Sequence, residues 1–322
     1  MQKMYPLQLK GITKSPIWGG SRLLADWGKT AENDTVGESW ELTVRQNENC
    51  TIENGEWMGK TLAEVIDEAK SEILGSSSMP NGEFPLLIKF IDAGDKLSVQ
   101  VHPDDEYAAR VENGRGKTEM WYIVEADEGA EIVCGLVDGV DRDAYAKMVA
   151  AGDTESALKR VSVHAGETYF IPAGLPHAIG GGILIAEIQQ NCDLTYRVFD
   201  YNRRQKDGTL RELHVEKALD VIRPFSTDEV DAIRYANASG ERADDLLADC
   251  RYFRVERIGL DGERRLGASD WMRHVLVLSG EITWECDGES GRFARGESWL
   301  LPAALGDVRL LGTGCFLLST AY

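Results

Sequence analysis

The sequence predicts an all-β protein, either a barrel or a sandwich, that carries small helical insertions. Short apolar or alternating runs recur along the chain, and Gly, Pro or Asp residues separate them, which is typical of strands and turns. Helical periodicity is confined to a few short segments. A length of 322 residues is enough for about two domains.

Six segments have the pattern of strands. FPLLIKFIDAG is a nearly continuous apolar run, whereas KLSVQVH alternates with a period of two and therefore has one polar face. In chain order, the predicted strands are 84–94, 96–102, 120–126, 130–137, 167–174 and 182–190.

The clearest predicted helix is TLAEVIDEAKSEILG, residues 61–75. Thr61 and Glu64 have the spacing of a capping box, one apolar stripe follows, and Gly75 marks the end. Shorter helices are predicted at 143–153, 212–222 and 241–250.

One frame of residues occurs twice in the chain. GETYFIPAGLPH (166–177) and GESWLLPAALGD (296–307) both open with Gly-Glu, continue with aromatic and aliphatic residues, and reach Pro-Ala at the same spacing. The first copy ends at His177, and the second has Asp307 in that place. Two copies of one small β-barrel would produce this pattern.

Composition limits the partners and the compartment. The net charge of −19 argues against a nucleic acid or an anionic membrane as partner. Six cysteines without C-x-x-C spacing indicate reduced thiols rather than a disulfide framework or a zinc knuckle. No apolar run is long enough to span a bilayer. We expect a soluble, cytoplasmic protein that is a monomer or a small homo-oligomer.

The stretch LSVQVHPDDEYA, residues 97–108, places Gln100 and His102 on one strand face, because side chains two apart point the same way. Taken alone, it resembles a sheet edge facing water. Together with the frame that ends in His177, it resembles the two motifs of the cupin superfamily, whose histidines bind metal inside a jelly-roll barrel. The resemblance implies a bicupin of two jelly-roll β-barrels, in which Gln100, His102, Glu119 and His177 converge on a metal.

Two histidines, one carboxylate and one amide oxygen form a ligand set suited to one Zn²⁺ per chain, with Mn²⁺, Co²⁺ or Fe²⁺ as alternatives. Each residue also has a purely structural interpretation: His102 as a turn cap, Glu119 as an exposed strand residue, His177 as a packed loop residue. Two of only five histidines fall in one ligand pattern, which favours the metal site. The others match no motif and are interpreted as structural: His164, His214 and His274.

Longer motifs resemble the type I phosphomannose isomerases in their order as well as their content. They are GESWELT (37–43), FPLLIKFIDAGDKLSVQVHPDDEYA (84–108), GKTEMWYI (116–123), IPAGLPHAI (171–179) and LTYRVFDYNR (194–203). The similarity runs through most of residues 5–222, and the chain length resembles that of the short bacterial form. It implies a metal-dependent aldose–ketose isomerase that interconverts mannose 6-phosphate and fructose 6-phosphate.

Such a reaction removes a proton from carbon 2 and returns one to carbon 1. It needs a base, a stabiliser for the enediolate charge, and an anchor for the phosphate. The resemblance places Arg197 in the active site, where it either assists proton transfer or holds the phosphate. We favour an effect on the rate, since the resemblance puts Arg197 near the metal.

Other charged residues are candidates for the same site. Lys117 is a candidate second cation beside the metal, and Glu187 is a candidate base, with a solvent-facing strand glutamate as its alternative. Lys89 and Ser98 are candidates for binding phosphate or sugar hydroxyls, although Lys89 also fits a snorkelling strand residue. The basic run in 203–212 is interpreted as a solvated loop in preference to a phosphate contact.

These assignments predict a metal-binding catalytic cupin domain at 1–240 and a degenerate cupin-like β-barrel at 241–322. Because Asp307 replaces the ligand histidine, we expect the second barrel to bind no metal.

Two other functions fit the same fold: an iron-dependent cupin dioxygenase, and a non-catalytic sugar-binding bicupin. Lys117 and Arg197 disfavour the first, because cations suit an anionic substrate better than they suit O₂. A complete ligand set disfavours the second.

Overall fold

The computed structural model describes residues 3–79, 82–205, 207–223, 225–235 and 245–322. Within these ranges the chain is mostly β-sheet with small helices, which confirms the predicted class. The helices are α1 (Arg22–Ala25), α2 (Leu62–Leu74), α3 (Asp105–Glu112), α4 (Arg142–Ala150), α5 (Val215–Val221) and α6 (Thr227–Ile233), and short 3₁₀ turns lie at Gly55–Trp57 and Glu155–Ala157.

The strands of the first half are β1 (Leu7–Lys10), β2 (Ile12–Lys14), β3 (Glu38–Leu42), β4 (Val44–Arg45), β5 (Glu48–Asn49), β6 (Thr51–Ile52), β7 (Leu86–Ala93), β8 (Val99–Val101), β9 (Glu119–Ala126), β10 (Glu131–Leu136) and β11 (Leu158–Ser162). Those of the second half are β12 (Thr168–Ile171), β13 (His177–Ile179), β14 (Ile183–Gln190), β15 (Tyr196–Phe199), β16 (Arg234–Tyr235), β17 (Asp245–Asp249), β18 (Phe253–Leu266), β19 (Arg273–Cys286), β20 (Glu289–Ala294), β21 (Ser298–Leu301) and β22 (Val308–Ala321).

Two antiparallel sheets in the N-terminal two thirds of the chain face each other. The five-stranded sheet has the order β11-β10-β13-β8-β15, and the seven-stranded sheet has the order β16-β12-β9-β14-β7-β3-β2. Apolar side chains from both sheets form one buried cluster, including Ile91, Trp121, Ile132, Tyr169 and Ile179. This shared core fixes how the strands of one sheet lie opposite those of the other.

A third, eight-stranded antiparallel sheet contains most of the C-terminal strands, in the order β17-β18-β22-β19-β21-β1-β6, with β20 paired to β19. The N-terminal strands β1 and β6 therefore complete a sheet whose other strands come from the end of the chain. The predicted domain boundary, at 240–241, lies outside the described residues.

Helix α2 has the ends that its sequence predicts. The Thr61 hydroxyl accepts a hydrogen bond from the backbone N–H of Glu64, and the Glu64 carboxylate accepts one from the backbone N–H of Thr61 at 2.8 Å. Gly75 follows with a φ of 57°, a conformation that favours glycine. Helices α4 and α5 likewise confirm the predictions at 143–153 and 212–222.

The helix predicted at 241–250 is wrong for the residues that the structure describes. Residues 245–249 form β17, which pairs with β18, and residues 241–244 lie outside the described ranges. Hydrogen bonds along a long neighbouring strand, together with burial of Leu247 and Ala248, outweigh a local helical preference, which is always weak.

The HPDD sequence ends β8 because a helix begins there. The Asp104 carboxylate accepts a hydrogen bond from the backbone N–H of Tyr107 at 2.8 Å and caps α3, a helix that the sequence did not predict. Strand β8 is accordingly short, and its polar face ends at His102.

The repeated frame has the same local structure in both copies. Gly166 and Gly296 have φ values of 90° and 82°, and each precedes a four-residue strand, β12 or β21. Strand β12 pairs with β9, and β21 pairs with β19. The two copies are therefore similar both in their residues and in how their strands pair.

No helix in the described ranges is long and apolar enough to cross a membrane. All six cysteines lie within these ranges and are free.

Candidate metal centre and active site

The predicted metal ligands meet between the two facing sheets. Gln100 on β8 lies directly opposite His177 on β13, and Glu119 opens β9 in the other sheet. His102 follows β8 on the same side as Gln100. Ligand atoms of His102, Glu119 and His177 all lie within 4.8 Å of one another.

Each histidine is held by a backbone carbonyl. The Nδ1 of His102 lies 2.9 Å from the carbonyl oxygen of Leu194, and the Nδ1 of His177 lies 2.8 Å from that of Leu175. Since a carbonyl only accepts, Nδ1 must carry the hydrogen in both rings, which leaves a lone pair on Nε2. Both Nε2 atoms lie 3.5 Å from oxygens of Glu119.

The rings have the charge state that a metal ligand needs. Burial lowers the pKa of His177 to about 4, and burial, with Lys117 and His177 nearby, holds the pKa of His102 well below its ordinary value. Both imidazoles are therefore neutral near pH 7. The Nε2 of His102 is buried without a hydrogen-bond partner among the described residues. A cation between these atoms would satisfy it, so the residues fit a metal.

Gln100 completes the group from the side of β8. Its side-chain amide nitrogen lies 3.4 Å from the Nε2 of His177. The nitrogen and oxygen of a glutamine amide exchange places when the amide rotates, so this side chain carries an oxygen suited to the same cation.

Two further groups bind the Glu119 carboxylate. The Lys117 ammonium lies 2.8 Å from it, and although burial opposes the charge, Glu119 and Glu187 raise the pKa of Lys117, which stays protonated. The indole N–H of Trp121 points between two carboxylates, at 3.0 Å from Glu119 and 3.1 Å from Glu187. Trp121 thus links the metal-binding group to the candidate base.

On the other side of Glu187, the buried Lys89 ammonium lies among three carboxylates. It is 3.4 Å from Glu187, 3.5 Å from Glu38 and 3.9 Å from Asp193. These neighbours outweigh the cost of burial and raise the pKa of Lys89. The indole N–H of Trp40 donates to Glu38 at 2.7 Å. Hydrogen-bond donors and carboxylates therefore alternate on this side of the site, in the order Lys117, Glu119, Trp121, Glu187, Lys89, Glu38 and Trp40.

A cavity of about 480 Å³ opens beside these groups. Its volume lies in the range of small-molecule sites, and many of the residues that line it are charged or polar. The predicted residues along it are Lys89, Ser98, Gln100, Lys117, Glu187 and Arg197. Gln100 and Lys117 also contact the metal-binding group, so the cavity and that group form one site.

Arg197 also lines the cavity, and its side chain turns toward Ser98. Its Nε donates to the Ser98 hydroxyl at 3.1 Å, and an Nη donates to the Glu212 carbonyl at 2.9 Å. The backbone of Arg197 pairs with Gln100, because β15 lies next to β8. Arg197 thus lies between the metal-binding group and the segment that follows β15.

Several residues that line the cavity or contact its carboxylates have no role in the predictions from sequence. Glu38 and Trp121 lie inside quoted motifs, where alternation with apolar neighbours was the available signal. Asp193 directly precedes the LTYR motif, and Arg211 belongs to the basic run that was interpreted as a solvated loop. His214, interpreted as structural, lines the cavity, and its Nδ1 lies 3.3 Å from the backbone N–H of Arg197.

The second copy of the frame has a different set of residues. Asp307 is half exposed, accepts a hydrogen bond from the backbone N–H of Ala268 and pairs with Arg265 at 3.3 Å. The strand register shows that Glu119 is replaced as well, since Ile171 lies opposite Glu119 and Leu301 lies opposite Arg273. The carboxylate and the histidine of the first copy thus become an arginine and an aspartate.

The fold and the site define a mostly β protein with a buried His/Glu/His metal-binding group, open to a polar cavity. Comparisons with known proteins give the family. The model of the phosphomannose isomerase type I catalytic domain matches residues 7–138, and the model of the mannose-6-phosphate isomerase cupin domain matches residues 244–321.

Curated relatives match nearly the whole chain. The mannose-6-phosphate isomerase ManA of Bacillus subtilis is 38% identical over 312 residues, covering 95% of this chain and 96% of that protein. The mannose-6-phosphate isomerase of Streptococcus mutans is 42% identical over 300 residues, covering 92% of each. The chain therefore belongs to the type I phosphomannose isomerase family, and it is an isomerase.

Solved structures agree with this assignment. The crystal structure of the mannose 6-phosphate isomerase from Bacillus subtilis has a TM-score of 0.87 at 30% identity, covering 98% of this chain and 99% of that one. A mutant of the phosphomannose isomerase from Salmonella typhimurium has a TM-score of 0.78 at 17% identity, with coverage of 98% and 99%, and shares the fold.

The site predicts where metal binds along the chain. His177→Ala should remove the bound metal, because it deletes one of two neutral nitrogens in a buried group. Asp307→Ala should leave the metal content unchanged, because its carboxylate faces an arginine at the surface. Elemental analysis of both variants and the wild type, purified in parallel, measures this. Metal loss in the Asp307 variant would contradict a single site.

Proposed function

We propose that the chain interconverts mannose 6-phosphate and fructose 6-phosphate and that it uses one divalent metal ion, for which Zn²⁺ is the first candidate. The observation that carries this proposal is the buried His/Glu/His group, with two lone pairs directed at one carboxylate, beside a cavity lined by charged side chains. Family membership supports the substrate pair. It disfavours both the dioxygenase and the non-catalytic alternatives.

The metal would be held by His102, His177, Glu119 and the amide oxygen of Gln100. Two neutral imidazoles with oxygen ligands suit Zn²⁺, and the same set accepts Mn²⁺, Co²⁺ or Fe²⁺. When bound, the ion supplies positive charge that polarises the oxygens on carbons 1 and 2 of the sugar.

For the proton transfer we propose Glu187 as the base. Its carboxylate is buried, oriented by the Trp121 indole and paired with Lys89, and it lines the cavity. A carboxylate held in this way is placed to take the proton from carbon 2 and return it to carbon 1. Lys117, next to Glu119, contributes a second fixed positive charge near the developing enediolate.

The contacts of Lys89 and Ser98 suggest how they would serve the substrate. Lys89 is fully paired with carboxylates, so we propose that it positions Glu187 rather than binding the phosphate. Ser98 accepts a hydrogen bond from Arg197 and would hold that guanidinium toward the cavity. Arg197, which pairs with Gln100 along the strand, would act on the negative charge of the substrate close to the reacting carbons.

We propose further that the chain is a bicupin whose catalytic half is a jelly roll of two facing sheets. In a jelly roll the sheets pack face to face, and hydrogen bonds need not close them. The shared core of the five- and seven-stranded sheets supports this arrangement. The repeated frame supports a second, degenerate barrel at 241–322, with the catalytic domain at 1–240.

We propose that the partner is a small sugar phosphate. We also propose that the protein is cytoplasmic and is a monomer or a small homo-oligomer. The net charge of −19 supports the exclusion of nucleic acids and anionic membranes. The six free thiols support a reducing compartment.

A coupled assay tests the function directly. Metal-loaded protein should convert mannose 6-phosphate to fructose 6-phosphate but leave unphosphorylated mannose largely unreacted. A chelator should abolish the conversion, and added Zn²⁺ should restore it, while circular dichroism shows that the sheets persist, since apolar cores hold the strands. Full activity in the chelator, or no activity in the metal-loaded protein, would contradict the proposal.

The role of Glu187 predicts a selective loss of rate. Glu187→Gln keeps the shape of the side chain but removes its basicity, so kcat should fall by about 10²- to 10⁴-fold with unchanged metal content. Glu131→Gln is the matched control, because Glu131 is a strand glutamate that is partly exposed to solvent. If Glu187→Gln kept a nearly normal kcat, Glu187 would not be the base, and another residue would have to take the proton.

A further inference from the structure

The positive charges along the cavity are not equivalent. Among the described residues that line it, five side chains are permanently cationic: Lys14, Lys89, Lys117, Arg197 and Arg211. The lysines are each paired with a carboxylate: Lys14 with Glu48 at 2.6 Å, Lys117 with Glu119 at 2.8 Å, and Lys89 with Glu187 at 3.4 Å. Their charge is already neutralised inside the protein.

The two arginines are in a different position. The Arg197 guanidinium forms no ion pair with a described carboxylate, and its hydrogen bonds go to a hydroxyl and a backbone carbonyl. Arg211 reaches one carboxylate, that of Asp200, at 3.6 Å, which is beyond a good hydrogen bond. Both guanidinium groups line the cavity; among the described residues, Arg197 has no carboxylate partner, and Arg211 has one that it shares with Arg203.

The single negative charge of Asp200 is shared by more than one arginine. This buried carboxylate also forms a short contact with Arg203, and Arg203 pairs as well with the exposed Asp95 at 3.3 Å. Arg203 and Arg211 therefore share one buried carboxylate, and both lie near enough to Arg197 to repel its guanidinium group. Burial lowers the pKa of Arg197, and repulsion from Arg211 and Arg203 lowers it further. In a chain with a net charge of −19, this local cluster of guanidinium groups would attract an anion.

We propose that Arg211, with Arg197 beside it, binds the phosphate of the substrate, and that Arg211 is the principal anchor. This rests on the proposed isomerisation of a sugar 6-phosphate. Planar guanidinium groups hold phosphate oxygens in pairs of hydrogen bonds, which lysines cannot do. In an open-chain sugar 6-phosphate, the phosphate and the reacting carbons lie at opposite ends. Arg197 pairs along the strand with Gln100, whereas Arg211 lines the cavity and reaches Asp200.

This arrangement separates affinity from rate. Arg211→Ala should raise both the KM for mannose 6-phosphate and the inhibition constant of inorganic phosphate by roughly 10- to 100-fold, with little change in kcat or metal content. Arg197→Ala, closer to the reacting carbons, should lower kcat by roughly 100-fold. Arg211→Lys keeps the charge but loses the paired hydrogen bonds, so its affinity should be intermediate.

Arg204→Ala is the matched control, because Arg204 is an exposed arginine of the same segment that donates to the Gly208 carbonyl and does not line the cavity. It should keep the wild-type inhibition constant for phosphate. The proposal is overturned if Arg211→Ala keeps that constant, or if Arg204→Ala weakens binding as much.

Direct calorimetry with inorganic phosphate separates this proposal from the proposed function. If the wild type binds phosphate through Arg211 but isomerises no hexose phosphate, the anion site stands and the function fails. If it isomerises mannose 6-phosphate and phosphate binds equally well to Arg211→Ala, the function stands and the anchor is wrong. Should Arg211→Ala unfold, as shown by its melting temperature, the comparison of Arg211→Lys with Arg204→Ala decides in the same way.

Discussion

A carboxylate with no exposed surface has to be neutralised where it lies, and the arrangement around Glu119 follows from that requirement. Lys117 supplies one positive charge at 2.8 Å, and the Trp121 indole supplies a hydrogen bond. The two neighbouring imidazoles are neutral and direct their lone pairs inward, so they add electron density rather than charge. One divalent cation would complete this arrangement, because it would accept both lone pairs and the carboxylate. The two facing sheets hold these groups together, since the strands that carry them lie in both sheets.

The same principle organises the wall of the cavity. Glu119 and Glu187 share the indole N–H of Trp121, and a lysine is paired with each carboxylate. Beyond Lys89, Glu38 continues the alternation. Each charged side chain contacts a neighbour of opposite charge or a hydrogen-bond donor, so the Glu187 carboxylate is held in one orientation by the protein alone. The proton transfer that we propose between adjacent carbons would need such a fixed base. The arginines are less fully compensated, since Arg197 has no carboxylate partner among the described residues and Arg211 shares Asp200 with Arg203, and we propose that the ligand supplies negative charge there.

The sequence predicted the parts of the site that obey local rules. Period-two alternation put Gln100 and His102 on one face, the capping box placed α2, and family motifs supplied Glu119 and His177. It could not predict contacts that depend on strands distant in the chain. Arg211 reaches the cavity from an irregular segment, where no periodicity gives a direction. Likewise β17 is a strand because β18 lies beside it, and nothing within residues 245–249 encodes that neighbour.

We propose that one cation, bound by residues of the first frame, completes the buried group. Its position can be measured by anomalous diffraction from crystals of the zinc-loaded protein, recorded on both sides of the zinc absorption edge. We expect a single peak per chain, within bonding distance of the Nε2 atoms of His102 and His177 and of the Glu119 carboxylate. A peak in the C-terminal sheet beside Asp307 and Arg273, or no peak between the two imidazoles, would contradict it.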